Sequence, residues 1–102
     1  MVTSFQQKVY DALILIPKGK ITTYKALGDF IGCKSAQAIG QALTRNLHAP
    51  QVPCHRVIKT DGTIGGYAFG VSEKQRILAE EGVFFDTKNT LIDSKNLYFF
   101  IQ

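Results

Sequence analysis

Thr23-Tyr24-Lys25-Ala26-Leu27-Gly28-Asp29-Phe30-Ile31-Gly32-Cys33-Lys34-Ser35-Ala36-Gln37-Ala38-Ile39-Gly40-Gln41-Ala42-Leu43-Thr44 is the stretch on which the fold turns. Thr23 is a capping residue ahead of a helical pattern from Tyr24 to about Ile31, with Ala26, Leu27 and Phe30 as its inward set, and Gly32 ends it. After a turn of about three residues, Ser35 caps another helix that runs to about Thr44. Two short helices around a tight glycine-containing turn predict a helix-turn-helix. Ala36, Ala38, Gly40 and Ala42 make the second of these helices unusually small-sided. A glycine inside a helix costs about 0.5–1 kcal/mol relative to alanine, so Gly40 needs a reason. Close helix–helix packing is one, and close approach to a nucleic acid is another. A bulky recognition helix suits the wide major groove, whereas a small-sided one fits a minor groove only ~6 Å wide.

Outward from this core, Ser4 reads as the cap of a first helix whose Phe5, Val9, Ala12, Leu13 and Ile16 share a face, stopped by Pro17 and Gly19. Ile21 and Thr22 form a short extended link. Residues 47–57 read as a loop with two prolines. Asp61-Gly62 between Val57–Lys59 and Thr63–Ile64 predicts a hairpin, or wing. Gly65, Gly66 and Gly70 loosen the loop around Tyr67. Ser72 reads as the cap of a last helix to about Glu81 that carries Lys74, Ile77 and Leu78, with Gly82 closing it. The tail 83–102 holds Phe84, Phe85, Leu91, Tyr98, Phe99 and Phe100, too aromatic for a disordered segment, and is expected to pack back. The expectation is one domain over 1–102 with its core at about 5–82: mostly α with a small β wing, a winged helix-turn-helix-like DNA-binding domain.

Composition bounds the function. The 102 residues carry a formal charge of +4 and are 45% hydrophobic, ordinary for one small globular domain. A basic balance suits nucleic acid without demanding it. No apolar run approaches the ~20 residues of a bilayer span, and Met1 to Lys8 does not resemble a signal peptide. An intracellular monomer with no membrane association is expected. In a reducing compartment Cys33 and Cys54 are not expected to pair; Cys33 reads as a small buried or loop residue. A zinc site from Cys33, His48, Cys54 and His55 lacks the paired spacings such sites use, so no metal and no cofactor is expected.

The chemistry centres on Pro53-Cys54-His55-Arg56-Val57-Ile58. A thiol becomes a strong nucleophile when its pKa falls or a base takes its proton. His55 and Arg56 supply positive potential, and His55 would reach the thiol through a water or a turn. Taken alone, a Cys-His pair is more often a buried cysteine beside a surface histidine.

The wider pattern says otherwise. Gly19-Lys20-Ile21 before Thr23-Tyr24, Ala36-Gln37-Ala38-Ile39-Gly40, Asn46, Pro53-Cys54-His55-Arg56-Val57, Gly62, Gly66-Tyr67 and Glu80-Glu81-Gly82 together resemble the active-site domain of O6-alkylguanine-DNA alkyltransferases, from about Phe5 to Gly82. The resemblance implies stoichiometric repair of O6-alkylguanine in double-stranded DNA by a methylated-DNA–protein-cysteine methyltransferase that alkylates itself once. Cys54 would be the alkyl acceptor, His55 the base acting through a water, Glu81 the carboxylate that orients it, and Asn46 the brace of the active-site loops. Tyr24 would push the phosphate as the nucleotide rotates, and Tyr67 would hydrogen-bond the flipped guanine. The Val57 carbonyl and Ala68 amide would hold the base edges, with Phe69 beside the pocket. The helix from Ser35 would enter the minor groove, which puts Ser35, Ala36, Gln37, Ala38, Gly40 and Gln41 against DNA, with Lys34, Arg45 and Arg56 as basic contacts. Plainer readings stand beside these: Tyr24 as core cover, Glu81 as a solvated helix-end carboxylate, Asn46 as a turn residue.

Gln37 departs from the family, which usually has an arginine there to fill the gap left by the flipped base. Phe69 replaces a residue that is small in many members, and the N-terminal domain of many members is absent. Short alkyltransferase-like proteins share that last trait. They bind O6-alkylguanine without transfer and flag it for excision-repair proteins, but they have another residue where this chain has Cys54. A regulator using the helix-turn-helix alone gives no reason for the Cys-His-Arg element. Either cellular setting, a prokaryotic cytoplasm or a eukaryotic nucleus, fits.

Overall fold

The computed structural model describes residues 3–45, 52–67 and 69–100. Helix α1 (Ser4–Ile14) leads through strand β1 (Thr22–Thr23) into α2 (Tyr24–Ile31) and α3 (Ala36–Thr44). A 3₁₀ turn (Cys54–Arg56) runs directly into strand β2 (Val57–Ile58), followed by α4 (Val71–Glu80) and a second 3₁₀ turn (Ser94–Asn96). The fold is mostly helical with a small sheet, as its periodicities predict.

Local chemistry sets most boundaries. Ala26 N–H donates to Thr23 Oγ1 and Ala38 N–H to Ser35 Oγ, both at 3.1 Å, so both expected caps of the helix-turn-helix form. The cap of α1 is Thr3 rather than Ser4: Gln6 N–H donates to Thr3 Oγ1 at 3.0 Å, and Thr3 N–H donates to Gln6 Oε1 at 2.9 Å. Ser4 has the same spacing to Gln7, but Gln7 N–H donates to Thr3 O at 2.9 Å instead. Helix α4 begins one residue before Ser72, behind Gly70 at φ 97°, with no side-chain cap. It ends as expected at a left-handed Gly82, where Val83 N–H reaches Leu78 O at 2.8 Å and Gly82 N–H reaches Ala79 O at 3.0 Å.

Two expectations shift. On α2 the buried residues are Leu27, Gly28 and Ile31, while Ala26 and Phe30 are half-buried. Phe30 instead stacks on Phe100 of the tail, centroids 4.4 Å apart. The close approach in the helix-turn-helix is at Gly28, where a Cβ would stand 2.3 Å from the Cys33 carbonyl oxygen. A Cβ at Gly40 would meet nothing within 4 Å, so helix packing does not explain that glycine.

The wing also differs in its pairing. Asp61-Gly62 does turn the chain, with Gly62 N–H on Lys59 O at 2.9 Å and Lys59 N–H on Thr63 O at 3.0 Å. Yet β2 pairs in parallel with β1, Thr22 opposite Val57 and Thr23 opposite Ile58. Thr63 is bridged antiparallel by Thr90 of the tail, and Ile64 N–H donates to Asn89 O. The tail further brackets Ile21, whose N–H donates to Asn96 O at 2.8 Å and whose carbonyl accepts from Tyr98 N–H at 2.7 Å. The aromatic tail therefore packs back on the body, although its Phe84 and Phe99 stay exposed.

Because neighbouring strand residues face opposite sides, β2 joins two apolar clusters. Val57 lies with α1, α2, α3 and Cys54, and Ile58 with Ile21, Ile64, Leu78 and Val83. Phe85, Leu91 and Leu97 of the tail cover the second cluster, Tyr98 and Phe100 the first. Among the described residues no helix is long and apolar enough to cross a membrane.

Candidate active site

Pro53 enters the site turn, where Cys54 N–H donates to Val52 O at 2.9 Å and Arg56 N–H to Pro53 O at 3.0 Å. In a 3₁₀ turn, successive side chains point about 120° apart, so Cys54 and His55 serve different surfaces. Cys54, 5% exposed, lines a cleft of about 590 Å³ with Tyr24, Val57 and Tyr67. His55, 1% exposed, borders a second cavity on the far side of Tyr67. The histidine is buried, against the plainer reading of a surface residue.

Three sequence-distant groups meet at Glu81. His55 Nε2 lies 3.1 Å from Glu81 Oε2, and Arg56 donates from Nε to Oε1 at 2.9 Å and from Nη2 to Oε2 at 2.7 Å. A third Arg56 donor, Nη1, holds the Ile16 carbonyl at 2.9 Å. Burial pushes the Glu81 pKa up, but the hydrogen bonds and charges of Arg56 and His55 outweigh it and hold the carboxyl below its ordinary value. Glu81 is thus an ionised, bonded group and not a solvated helix end. Burial pushes the His55 pKa down, more than the hydrogen bond and charge of Glu81 raise it. A neutral imidazole donating Nε2–H to an ionised carboxylate leaves Nδ1 as the basic nitrogen. That Nδ1 is buried and has no hydrogen-bond partner among the described residues. Arg56, expected against DNA, is instead engaged inside the protein: its guanidinium ties Glu81 and the end of α1 together, because a buried carboxylate requires a buried cation.

Lys74 is the residue whose importance the sequence concealed, since a lysine at an inward helical position looks like a pattern error. It is 1% exposed, and its ammonium donates to Val57 O at 2.7 Å and Gly66 O at 3.1 Å. Burial lowers its pKa to about 8, opposed by the charge of Cys54. Lys74 thereby fixes β2 to the glycine loop that carries Tyr67. Burial, then the charge of Cys54, raises the phenol pKa of both Tyr24 and Tyr67, so both remain hydrogen-bond donors at neutral pH. Tyr24 is half-buried at the start of α2 and reaches the cleft as well as the first cluster.

Of the residues expected against DNA, Gln37, Gly40, Gln41 and Arg45 line the cleft beside Cys54. Lys34, Ser35 and Ala36 are exposed at the start of α3, and Ala38 is half-buried. Phe69 is 63% exposed and stands edge-on to Tyr67, centroids 5.5 Å apart, on the side away from the cleft. Asn46 and Ala68, and His48 of the excluded zinc set, lie outside the described residues. Cys33 is half-buried, its sulfur 3.8 Å from Ser35 O.

This arrangement coincides with a family pattern. The model of the 6-O-methylguanine DNA methyltransferase DNA-binding domain matches residues 4–83. The chain belongs to that family. A methylated-DNA–protein-cysteine methyltransferase of Candida glabrata is 38% identical over 92 residues, covering 89% of this chain and 44% of the relative. The chain therefore spans less than half of that family member's length. The structure of Mycobacterium tuberculosis OGT in complex with DNA superposes with TM-score 0.77 at 41% identity, over 80% of this chain and 51% of that one. S. pombe Atl1, in complex with damaged DNA containing O6-carboxymethylguanine, superposes with TM-score 0.78 at 30% identity, over 96% of this chain and 98% of its own. The methyltransferase family and its helical DNA-binding fold with a small sheet are thus shared by proteins of two lengths.

Proposed function

We propose that this family member repairs O6-alkylguanine in duplex DNA by moving the alkyl group onto Cys54, once per molecule. The observation that carries this reading is the pairing of a cleft-lining cysteine with a neighbouring histidine whose Nε2 is held by Glu81. His55 takes the thiol proton through a water, and Cys54 sulfur attacks the alkyl carbon. The carbon–oxygen bond breaks, its electron pair stays on the guanine, and Tyr67 hydrogen-bonds the departing base. Cys54 lines its cleft and is only 5% exposed, so a stacked base does not reach it and the damaged nucleotide rotates out. Helix α3 seats in the minor groove, where the open space over Gly40 admits the DNA closely. Tyr24 assists the rotation, Val57 and Ala68 hold the base, and Asn46 braces the loops. Arg45 and Lys34 contact phosphates.

A second reading, a damage sensor that recruits excision-repair proteins without transfer, draws on the likeness to Atl1 over nearly that protein's whole length. Cys54 favours transfer. Intact-mass measurement after mixing with O6-methylguanine duplex decides: transfer adds about 14 Da to Cys54 alone and plateaus at one equivalent. Cys54→Ser stops the transfer but keeps lesion binding. Tight binding with unchanged mass sinks the transferase reading and leaves the sensor.

A further inference from the structure

Helix α3 carries two rows of side chains on its cleft side. Ala36, Gly40 and Thr44 recur every four residues, and so do Gln37, Gln41 and Arg45. The first row is small, and Thr44 turns its hydroxyl back onto the Gly40 carbonyl at 2.9 Å. The second row is long and exposed, with two uncharged amides ahead of its one cation. Gln37, Gln41 and Arg45 all line the cleft beside Cys54. Neither glutamine amide is engaged by another described residue. The small row lets the helix backbone settle close to a groove floor, and the long row then brings its amides to the base edges. A helical rise of about 1.5 Å per residue sets the two amides about 6 Å apart, nearly two base steps of about 3.4 Å each. Along a groove they therefore address different base pairs. With Gln37 at the step that the rotated nucleotide leaves, Gln41 faces a neighbouring pair that stays stacked.

We propose that Gln41 is a specificity-determining residue that reads the minor-groove edge of a base pair flanking the lesion and favours guanine there, an inference that rests on the minor-groove seating of α3 given above. A primary amide offers a donor and an acceptor side by side. Guanine offers the complement, its N3 acceptor beside its N2 amine, and makes two hydrogen bonds with one glutamine. A·T and T·A pairs expose only acceptors in that groove, so the amide oxygen is left unpaired against them. An arginine has donors alone and draws no such distinction. Lesion recognition is thereby coupled to sequence context through a neutral side chain, and the preference persists as salt weakens the phosphate contacts.

Lesion affinity tests this in the Cys54→Ser chain, where no methyl group moves, on duplexes that differ only in the pairs beside O6-methylguanine. Inosine in place of a flanking guanine removes the N2 amine and leaves the major-groove edge intact. The 7-deaza analogue of guanine removes N7 from the major groove and leaves the minor-groove edge intact. At one of the two flanks inosine is expected to weaken binding about fivefold, while the 7-deaza analogue changes nothing. Adding Gln41→Ala, an exposed change to a better helix former, abolishes the inosine effect, and adding Gln37→Ala keeps it. Inosine pairs more weakly than guanine whichever protein is bound, so the difference between the two chains isolates the part played by the amide. An inosine effect of the same size with and without Gln41 overturns the readout, as does one that disappears in Gln37→Ala alone. A response to the 7-deaza analogue in place of inosine puts α3 in the major groove and overturns the seating itself, which separates the two failures.

Discussion

His55 Nε2 lies 3.1 Å from the Oε2 of Glu81, and this one contact assigns the roles of both ring nitrogens. Nε2 carries the hydrogen and Nδ1 is left to accept a proton. His55→Ala is therefore expected to slow alkyl transfer by about a hundredfold or more while lesion affinity changes little. Glu81→Gln keeps the shape but removes the charge that fixes the tautomer, and is expected to slow transfer similarly. It also strands the Arg56 guanidinium, so thermal unfolding should show a loss of about 3 kcal/mol that His55→Ala does not share. Equal losses of binding and transfer in His55→Ala would move the histidine from chemistry to recognition.

The same contact sets an acid limit. His55 titrates lower in the fold than its unfolded value of about 6.5, so the unfolded chain binds that proton first. Stability is then full above that value and falls as pH drops towards the folded pKa. Glu81, also lowered, adds a further loss below about 4.3. Denaturant midpoints against pH should show both steps, and His55→Gln should remove the upper one. Lys74 acts at the alkaline end: with a folded pKa of about 8, its buried ammonium weighs on stability below that pH. The strain is relieved as pH rises towards ~10.4, by about 3 kcal/mol at most. Lys74→Met should flatten that rise.

Two arginines of the basic set, Arg45 and Arg56, should behave oppositely. Arg45 is exposed at the end of α3 on the cleft. Arg45→Ala should weaken binding to damaged and undamaged duplex alike and reduce the slope of log affinity against log salt by about one. Arg56, tied to Glu81 and Ile16, should leave that slope unchanged on replacement and lower the unfolding temperature instead.

Glycine substitutions separate packing from DNA approach. Gly28→Ala places a methyl 2.3 Å from the backbone oxygen of Cys33 and should destabilise the fold by about 2 kcal/mol or more. Gly40→Ala meets open space and should stabilise α3 by about 0.5–1 kcal/mol. If α3 seats in a minor groove, the same added methyl should weaken duplex binding. A variant both more stable and equally tight in binding would remove Gly40 from the interface.

Gln37 sits on the cleft where a longer cation could fill the vacated base stack. Gln37→Arg should raise lesion affinity or transfer rate. No gain in either would mean that flipping does not limit the reaction.

Local chemistry made much of this protein legible from its residues. Thr23 and Ser35 cap helices, and Gly32 and Gly82 end them, through bonds reaching only three to five residues, so the chain order alone specifies the helix-turn-helix and the end of α4. The Pro-Cys-His-Arg-Val element likewise singled out the candidate site from sequence. What needed the tertiary structure depends on residues far apart. Val57–Ile58 pairs with Thr22–Thr23 rather than the adjacent Thr63–Ile64, which buries Val57 in one apolar cluster and Ile58 in the other, while the tail takes the place beside Thr63. Ser4 reads as the cap of α1, but the reciprocal bonds between Thr3 and Gln6 move the cap one residue earlier. Arg56, which reads as a surface cation, and Lys74, whose charge looks out of place on an inward helical position, both turn inward to partners that only the fold supplies: Glu81 for the one, the carbonyls of Val57 and Gly66 for the other. A carboxylate 25 residues away in sequence, or a carbonyl on another strand, exerts its demand only once the chain has closed around it.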